Sequence, residues 1–256
     1  MSFVVPRLAG AMIHGSYDGP ATVRRLAPED FHPVRAADGR ALGCLWLSDF
    51  LDSTVGPYRE LTVTFLVADA PVTVPWVNAW TPLAAQLRPD VRVCEYVLLL
   101  DNPAAIAYGR DLHGFDKHPG TLAIERGGGT FRFEVGQGSA LAARGAFRER
   151  GLGALAGAVA GLARAHGVGP TLRELARRRH HLPVVTPKTV RALRSDLYFS
   201  GSARLQPWAD GDALEYGDAP VGRLLAGLDF RPSAVQRVLD GAGEMPRLSP
   251  APPIAS

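Results

Sequence analysis

Residues 96–120 read YVLLLDNPAAIAYGRDLHGFDKHPG, and this stretch decides what the chain can be. An apolar run leads into Asp101 and Asn102, and a second apolar stretch ends at Gly109. Downstream, Lys117 lies between Phe115 and Pro119. A lysine beside an aspartate and a histidine is most often a solvated loop residue. Burial in an apolar, aromatic setting would instead lower the pKa of its amine and free it as a nucleophile.

The same stretch resembles the acetoacetate decarboxylase family. The family motif has the form D-N-x-P-A-I-x-x-G-R-E, followed by an aromatic residue, then P-K-K and a glycine. Lys117 falls where the family carries its Schiff-base lysine, and His118 stands in place of the second lysine. A looser resemblance extends over most of the chain, including residues 200–205, SGSARL, which resemble a strand near the family's C-terminus.

A second segment, residues 56–60 (GPYRE), resembles the part of the family that ends in a catalytic-site glutamate, which places Glu60 there. The family has another acidic residue about fifteen positions earlier. In this chain Leu45 or Trp46 takes its place. The resemblance therefore implies the fold and the Schiff-base chemistry more firmly than the exact reaction.

The resemblance implies a set of site residues. Lys117 and Glu60 are expected to be catalytic. The residues expected to contact the substrate are Tyr58, Arg110, His113, Phe115 and His118. The substrate is a keto acid, and neither a cofactor nor a metal is expected. Homo-oligomerisation is expected as well.

Each polar candidate also has a purely structural interpretation. Glu60 can form an ion pair with Arg59 or another neighbour, and Arg110 can pair with Asp101 or Asp111 instead of a substrate carboxylate. His118 is either an acid/base with a suitable pKa or a surface histidine before a proline.

Bulk composition is that of a globular enzyme or binding protein. The 256 residues are 46% hydrophobic and 21% charged, with a formal net charge of +3, which is too mild to indicate nucleic-acid binding. Residues 177–181 (RRRHH) lack interleaved aromatic residues and favour a solvated helix end. Cys44 and Cys94 lie in apolar surroundings and favour reduced core residues. The absence of a signal-peptide pattern and of a long apolar run predicts a cytoplasmic protein without membrane spans.

The pattern predicts one α+β domain over residues 1–256, mostly antiparallel β with a few helices. We expect a loop-rich N-terminus over residues 1–40 and a frayed, proline-rich tail from about residue 246. The family resemblance implies a closed, cone-like β-barrel with peripheral helices and the lysine facing its interior. The predicted strands are 42–51, 58–68, 91–100, 184–185, 196–199 and 203–207, with a hairpin around the glycines 127–129. The predicted helices are 104–111, 151–166, 171–179 and 233–240.

Three functions remain open at this point. The default is a Schiff-base lyase that decarboxylates a β-keto acid such as acetoacetate. The first alternative is an aldolase or dehydratase acting on a pyruvate-like or larger keto acid, motivated by the missing second acid and by His118. The second alternative is a non-catalytic barrel that binds a small molecule, which an open, polar environment around Lys117 would favour.

Overall fold

The computed structural model describes residues 3–18, 20–75, 78–86, 88–150, 180–186 and 193–245. The predicted helices 151–166 and 171–179 and the tail from residue 246 lie outside these described residues. The strands are β1 (Phe3–Tyr17), β2 (His32–Pro33), β3 (Arg35–Ala36), β4 (Ala41–Asp52), β5 (Tyr58–Ala68), β6 (Thr73–Val74), β7 (Val91–Leu100), β8 (Lys117–Pro119), β9 (Thr121–Gly127), β10 (Thr130–Gln137), β11 (Ala140–Arg148), β12 (His180–Thr186), β13 (Leu193–Pro207), β14 (Ala213–Tyr216) and β15 (Arg231–Met245). The helices are α1 (Pro20–Leu26), α2 (Thr81–Gln86), α3 (Pro103–His113) and α4 (Pro220–Gly227).

Two mostly antiparallel sheets organise the described part of the chain. The larger has 11 strands in the order β2-β5-β7-β12-β13-β15-β1-β4-β3-β6, with β8 paired to β7 and an additional pairing of β4 with β5. The smaller has four strands in the order β14-β11-β10-β9. This confirms a mostly β fold with few helices. Closure of the large sheet into the cone-like barrel that the resemblance implies is not confirmed.

The strands at the centre of the large sheet have a different neighbour on each face. On one face, Leu61, Val63 and Leu99 join a buried cluster with Phe131 and Phe133 of the small sheet. On the other face, Leu98 and Leu100 pack with residues of α3. Side chains alternate across a strand, so the period-two pattern of β5 fills both faces at once. The candidate site lies on the α3 face.

Most of the predicted strands are confirmed. The strands β5 and β7 have the predicted bounds, and β4 exceeds its prediction by one residue at each end. The hairpin is also confirmed, since Gly128 and Gly129 form a two-residue turn with φ values of 58° and 71°. Both turn residues need positive φ in this type of turn, which explains the glycines. Cys44 and Cys94 are buried and free of disulfides, as predicted.

The loop-rich N-terminus is wrong, because residues 3–17 form the long strand β1 between β15 and β4. Gly15, which suggested a loop, is a strand residue. A Cβ at Gly15 would contact the carbonyl oxygen of Arg231 and lie 2.7 Å from the ring of Phe230. The glycine thus permits a close approach of chains within the sheet.

The predicted helix at residues 233–240 is also wrong, because these residues belong to β15, which pairs with β1 and β13. Ser202 pairs with Asp240 and Ala203 with Val238, which leaves Leu239 as an extra residue in a bulge. The bulge breaks the period-two alternation and gives the apolar residues a helix-like spacing. His180 and His181 begin strand β12, so their interpretation as a helix end is wrong as well.

Candidate active site

The core of the site is a buried ion pair between Lys117 and Glu60. The Lys117 Nζ donates a hydrogen bond to Glu60 Oε2 at 2.7 Å, and each side chain is only 8% exposed. The hydroxyl of Thr62 donates to the other oxygen, Glu60 Oε1, at 3.1 Å. The alternative pairing of Glu60 with Arg59 is wrong, since Arg59 faces Asp49 instead. Both oxygens of Glu60 are therefore engaged beside the amine.

The residues around the motif explain how the lysine reaches this position. Asn102 caps α3, accepting hydrogen bonds from the backbone N–H groups of Ala104 and Ala105 at 2.8 and 3.3 Å. Gly114 ends the helix in the left-handed conformation at φ 66°, which glycine adopts without a steric penalty. The chain then turns back into β8, where Lys117 pairs with Leu98 of β7. Much of the sequence motif thus builds the turn that delivers Lys117.

Gly109 leaves room for the lysine side chain. A Cβ at position 109 would contact Lys117 Cε and lie 2.6 Å from Cδ and 3.3 Å from Nζ. Any larger residue on this face of α3 would therefore displace the amine. The glycine of the motif is explained by this close approach rather than by backbone conformation.

The amine points into a largely apolar cavity of about 100 Å³. The rings of Tyr58 and Phe115 each lie 5.7 Å from Lys117 Nζ, within the range of a cation–π contact. Phe50 stacks on Tyr58 at 4.3 Å. The remaining apolar wall comes from β1, β4, β7, α3 and β15 and comprises Phe3, Val5, Leu8, Met12, Trp46, Leu98, Ala105, Val238 and Met245. A largely apolar cavity of this kind suits a small molecule with an apolar part.

A second glutamate, Glu95, also lines the cavity, and sequence reasoning missed it. On β7, Val97 pairs with Val63 and Glu95 with Thr64, so Tyr96 is an extra residue in a bulge. The bulge turns Glu95 to the face of Leu98, whereas strict alternation would place it on the opposite face. A change of phase in the apolar pattern at Tyr96 and Val97 is the only sequence signal for this arrangement.

Glu95 is a buried residue, only 4% exposed, and burial is the main influence on its pKa. Burial, reinforced by the negative charge of Glu60, raises the pKa of Glu95 to about 8, and Lys117 partly opposes the shift. Glu95 therefore holds its proton near neutral pH.

The position of the missing acid is occupied by an indole ring. Of the two candidates, Trp46 lines the cavity while Leu45 packs in the cluster on the opposite face. Trp46 donates its indole N–H to Cys44 Sγ. The cavity therefore contains two buried carboxyl groups, of which the second, Glu95, comes from β7 instead of β4. Glu244 of β15, which is only partly buried, also lines the cavity.

Among the described residues, His113 and Tyr108 also bring fully buried polar atoms without a hydrogen-bond partner to the cavity. They are both ring nitrogens of His113 and the hydroxyl of Tyr108. The His113 ring stacks on Phe115 at 5.6 Å. Burial, with a smaller contribution from Lys117, lowers the pKa of His113, so the ring is neutral near neutral pH. These orphan atoms are available to a ligand.

The structure places Arg110 and His118 outside this cavity. Arg110 is exposed and lines a separate, open cleft on the other side of α3. In the described part of the chain it forms no ion pair with Asp101 or Asp111. His118 follows Lys117 in a strand and so points to the opposite side, where its Nε2 lies 2.8 Å from Asp116. Tyr58, His113 and Phe115 are the predicted substrate contacts that share the cavity with Lys117 and Glu60.

The described residues contain no cluster of three or more histidine, cysteine or acidic side chains that could hold a metal ion. Nor is any helix in the described ranges long and apolar enough to span a bilayer.

Solved structures with this fold include several enzymes. Acetoacetate decarboxylase from Legionella pneumophila is 15% identical, with a TM-score of 0.60 over 96% of this chain and 86% of that chain. The enduracididine biosynthesis enzyme MppR, complexed with the condensation product of pyruvate and imidazole 4-carboxaldehyde, is 12% identical, with a TM-score of 0.52 over 96% and 87%. An acetoacetate decarboxylase-like enzyme from Sphingomonas wittichii RW1 is 13% identical, with a TM-score of 0.53 over 97% and 92%. At these identities the likenesses show the fold alone.

No curated protein matches the chain in sequence. The family model of acetoacetate decarboxylase, however, matches residues 2–232, which is nearly the whole chain. The chain therefore belongs to the acetoacetate decarboxylase family.

Proposed function

We propose that the protein is a Schiff-base lyase that decarboxylates a β-keto acid. The observation that carries the proposal is the buried contact of 2.7 Å between Lys117 Nζ and Glu60 in an apolar cavity. An amine must lose a proton before it can add to a ketone, and the adjacent carboxylate can accept that proton. Loss of water then gives an iminium on Lys117.

The iminium is an electron sink. When the bond to the β-carboxylate breaks, its electrons move toward the iminium nitrogen and carbon dioxide leaves. The walls formed by Trp46, Leu98 and Phe115 offer the departing carboxylate little solvation, a setting that favours its loss as neutral carbon dioxide. Protonation of the enamine and hydrolysis release a ketone and return the amine.

We also infer that the large sheet closes into the cone-like barrel of the family around the lysine. The inference is supported by the pairing of β4 with both β1 and β5. A closed wall would keep water away from the iminium until hydrolysis.

Aldol or dehydratase chemistry on a pyruvate-like keto acid is the second candidate. It is favoured by the likeness to MppR, whose structure holds a condensation product of pyruvate. The support that His118 gave this candidate in the sequence is weaker, because the His118 side chain points away from the cavity. A non-catalytic binding barrel is disfavoured, since Lys117 is 6% exposed in aromatic surroundings rather than open and polar.

The test combines two measurements on the wild-type chain. Borohydride reduction with acetoacetate and longer β-keto acids should add mass to a peptide that contains Lys117, and the same acids should release carbon dioxide. An adduct that persists in Lys117→Ala would overturn the Schiff-base assignment. Condensation of pyruvate with an aldehyde, without carbon dioxide from any β-keto acid, would overturn decarboxylation and leave the lysine assignment intact.

A further inference from the structure

The two buried glutamates of the cavity, Glu60 and Glu95, differ in their partners. Glu60 has one oxygen on Lys117 Nζ and the other on Thr62 Oγ1. Glu95 accepts no hydrogen bond and forms no ion pair within the described ranges, although it is buried and lines the same cavity. A buried carboxyl group without a partner is unfavourable for folding. Its placement therefore points to a ligand that supplies the missing partner.

The β7 bulge places Glu95 in the same cavity as the amine of Lys117. Leu98 is the strand partner of Lys117, and the extra residue Tyr96 brings Glu95 onto the same wall as Leu98. Without the bulge, Glu95 would face the small sheet with Val97 and Leu99. Bulges beside active sites commonly re-aim a side chain in this way.

We propose that Glu95 is a catalytic acid/base that transfers a proton to and from the substrate carbon next to the iminium. The proposal rests on the Schiff-base function and deepens it by assigning the proton transfer. Glu60 is the positioning group for the amine, because both of its oxygens are engaged. Of the two buried carboxyl groups, Glu95 is therefore the one left to meet the substrate.

Loss of carbon dioxide leaves a carbon–carbon double bond next to a neutral nitrogen. The O–H bond of Glu95 breaks, its proton forms a C–H bond with the enamine pair, and the nitrogen becomes an iminium again. Water hydrolyses the iminium to a ketone and the free amine of Lys117. Glu95 then regains a proton from solvent, which accounts for the one proton that decarboxylation of a carboxylate consumes.

The charge state of Glu95 agrees with this role, because its raised pKa of about 8 keeps the acid form near neutral pH. Several titratable groups face the cavity from the elements packed around it. They are Tyr58 and Glu60 of β5, Tyr108 and His113 of α3, Lys117 of β8 and Glu244 of β15. The Sγ of Cys44 in β4 contacts the Thr64 hydroxyl, and burial, together with the negative charge of Glu95, raises the pKa of the Cys44 thiol.

The experiment measures proton transfer at carbon separately from the release of carbon dioxide. Acetone and methyl propyl ketone are incubated with the protein in deuterium oxide, and deuterium entering the carbon next to the carbonyl is measured by NMR. Exchange needs the iminium and a base, but no decarboxylation. We expect wild-type exchange to rise with pH through about 8, because removal of the first proton needs the Glu95 carboxylate.

Glu95→Gln should lower exchange by roughly 100-fold or more and abolish the rise through this pH. Borohydride trapping of the same ketones on Lys117 should persist in that variant. Glu95→Asp should restore part of the exchange. Glu125→Gln, at an exposed position of β9, should leave both readouts unchanged.

The outcomes separate this proposal from the proposed function. Exchange at the wild-type rate in Glu95→Gln would overturn the proton-transfer role, and so would loss of trapping together with exchange, which would mark a structural role. Wild-type trapping without any exchange would also overturn it while leaving the Schiff base intact. Absence of a wild-type adduct would instead overturn the proposed function itself.

Discussion

The start of β5 and the middle of β7 each bring one glutamate into the cavity, in contrasting settings. Glu60 follows the regular alternation of β5 and contacts a cation and a hydroxyl. Glu95 depends on a bulge in β7 and has neither kind of contact among the described residues. One carboxyl group is thus paired with a cation, while burial keeps the other neutral near neutral pH. Acid/base chemistry commonly uses two carboxyl groups whose environments differ in this way.

The difference suggests a division of labour between the two carboxyl groups. A carboxylate fixed to the amine can position it and take its proton. A neutral acid without a fixed partner can give its proton to the substrate. Substitutions at and around the two glutamates test this division of labour.

The largest effect is expected from Lys117→Met, which removes the group that both glutamates face. Turnover and the borohydride adduct should be abolished, because no amine remains. Glu60 would also be left buried without its cation, which costs about 3–5 kcal/mol of stability. Mass spectrometry after reduction and urea unfolding measure the two losses.

The double variant Lys117→Met/Glu60→Gln is the matched control. It should recover most of the lost stability while staying inactive, because the buried negative charge has been removed as well. Equal stability of the single and double variants would contradict a buried ion pair at this site.

The next largest effect is expected from Glu60→Gln. The amide can keep the contacts with Nζ and Thr62 Oγ1 but cannot take up a proton. Turnover should fall by roughly 10²- to 10⁴-fold, while the fold and the iminium adduct on Lys117 persist. Steady-state kinetics and borohydride trapping check this expectation. Wild-type kinetics in the variant would reduce Glu60 to a structural partner of the lysine.

The contrast between the two glutamates also marks what could be predicted from the sequence. The strand β5 keeps its period-two alternation, so its bounds could be predicted from the sequence, whereas the role of Glu60 came from the resemblance of residues 56–60 to the family. The motif around Lys117 could be recognised in the sequence because few residue types fit the helix caps at Asn102 and Gly114 and the close packing at Gly109.

The sequence did not predict features that depend on bulges and pairing partners. One extra residue at Tyr96 re-aims Glu95, and one at Leu239 gives a strand the spacing of a helix. A local pattern cannot reveal these irregularities, because they are defined by the register with another strand. The long strand β1 was missed for a related reason, since its glycines permit close packing and do not end the strand.

The next effect concerns stability, because Glu95→Gln should change how the free energy of unfolding depends on pH. The folded-state pKa of Glu95 is about 8, against an ordinary value of 4.5. The wild-type fold therefore favours the protonated form, and this contribution is complete below the ordinary value and is lost as pH rises through about 8. The loss amounts to several kcal/mol, with about 5 kcal/mol as its upper bound.

Glutamine does not titrate, so Glu95→Gln should gain stability relative to wild type as pH rises from about 5 to about 9. Urea unfolding across this range measures the difference, and Glu125→Gln, exposed on β9, is the control. Parallel pH curves for wild type and Glu95→Gln would contradict the neutral, buried state of Glu95.

A smaller effect is expected from Gly109→Ala. The added methyl group would meet Lys117 Cε and Cδ and push the amine away from Glu60. Misplacement of a reacting group by about 1 Å commonly costs up to about 100-fold, so turnover should fall by roughly 10- to 100-fold. Gly127→Ala is the matched control, because nothing lies within 4 Å of a Cβ at that position. Equal activity of the two variants would show that the amine tolerates displacement.

The smallest effect is expected at His113, which lines the cavity and whose two ring nitrogens have no hydrogen-bond partner in the described part of the chain. His113→Phe keeps the stacking on Phe115 and removes two buried polar atoms that have no partner among the described residues. Stability should therefore stay the same or rise. If the neutral ring hydrogen-bonds the substrate, the loss of one such bond, about 1 kcal/mol, should raise KM up to about tenfold with little change in kcat.

Tyr108→Phe makes the same comparison for the second orphan group, since it removes only the hydroxyl. A neutral imidazole and a phenol can each donate and accept a hydrogen bond, so either group can bind an oxygen of a keto acid. If the Tyr108 hydroxyl binds the substrate, Tyr108→Phe should also raise KM up to about tenfold with little change in kcat. Higher stability with unchanged KM in both variants would assign substrate recognition to the carboxyl groups and the apolar wall alone.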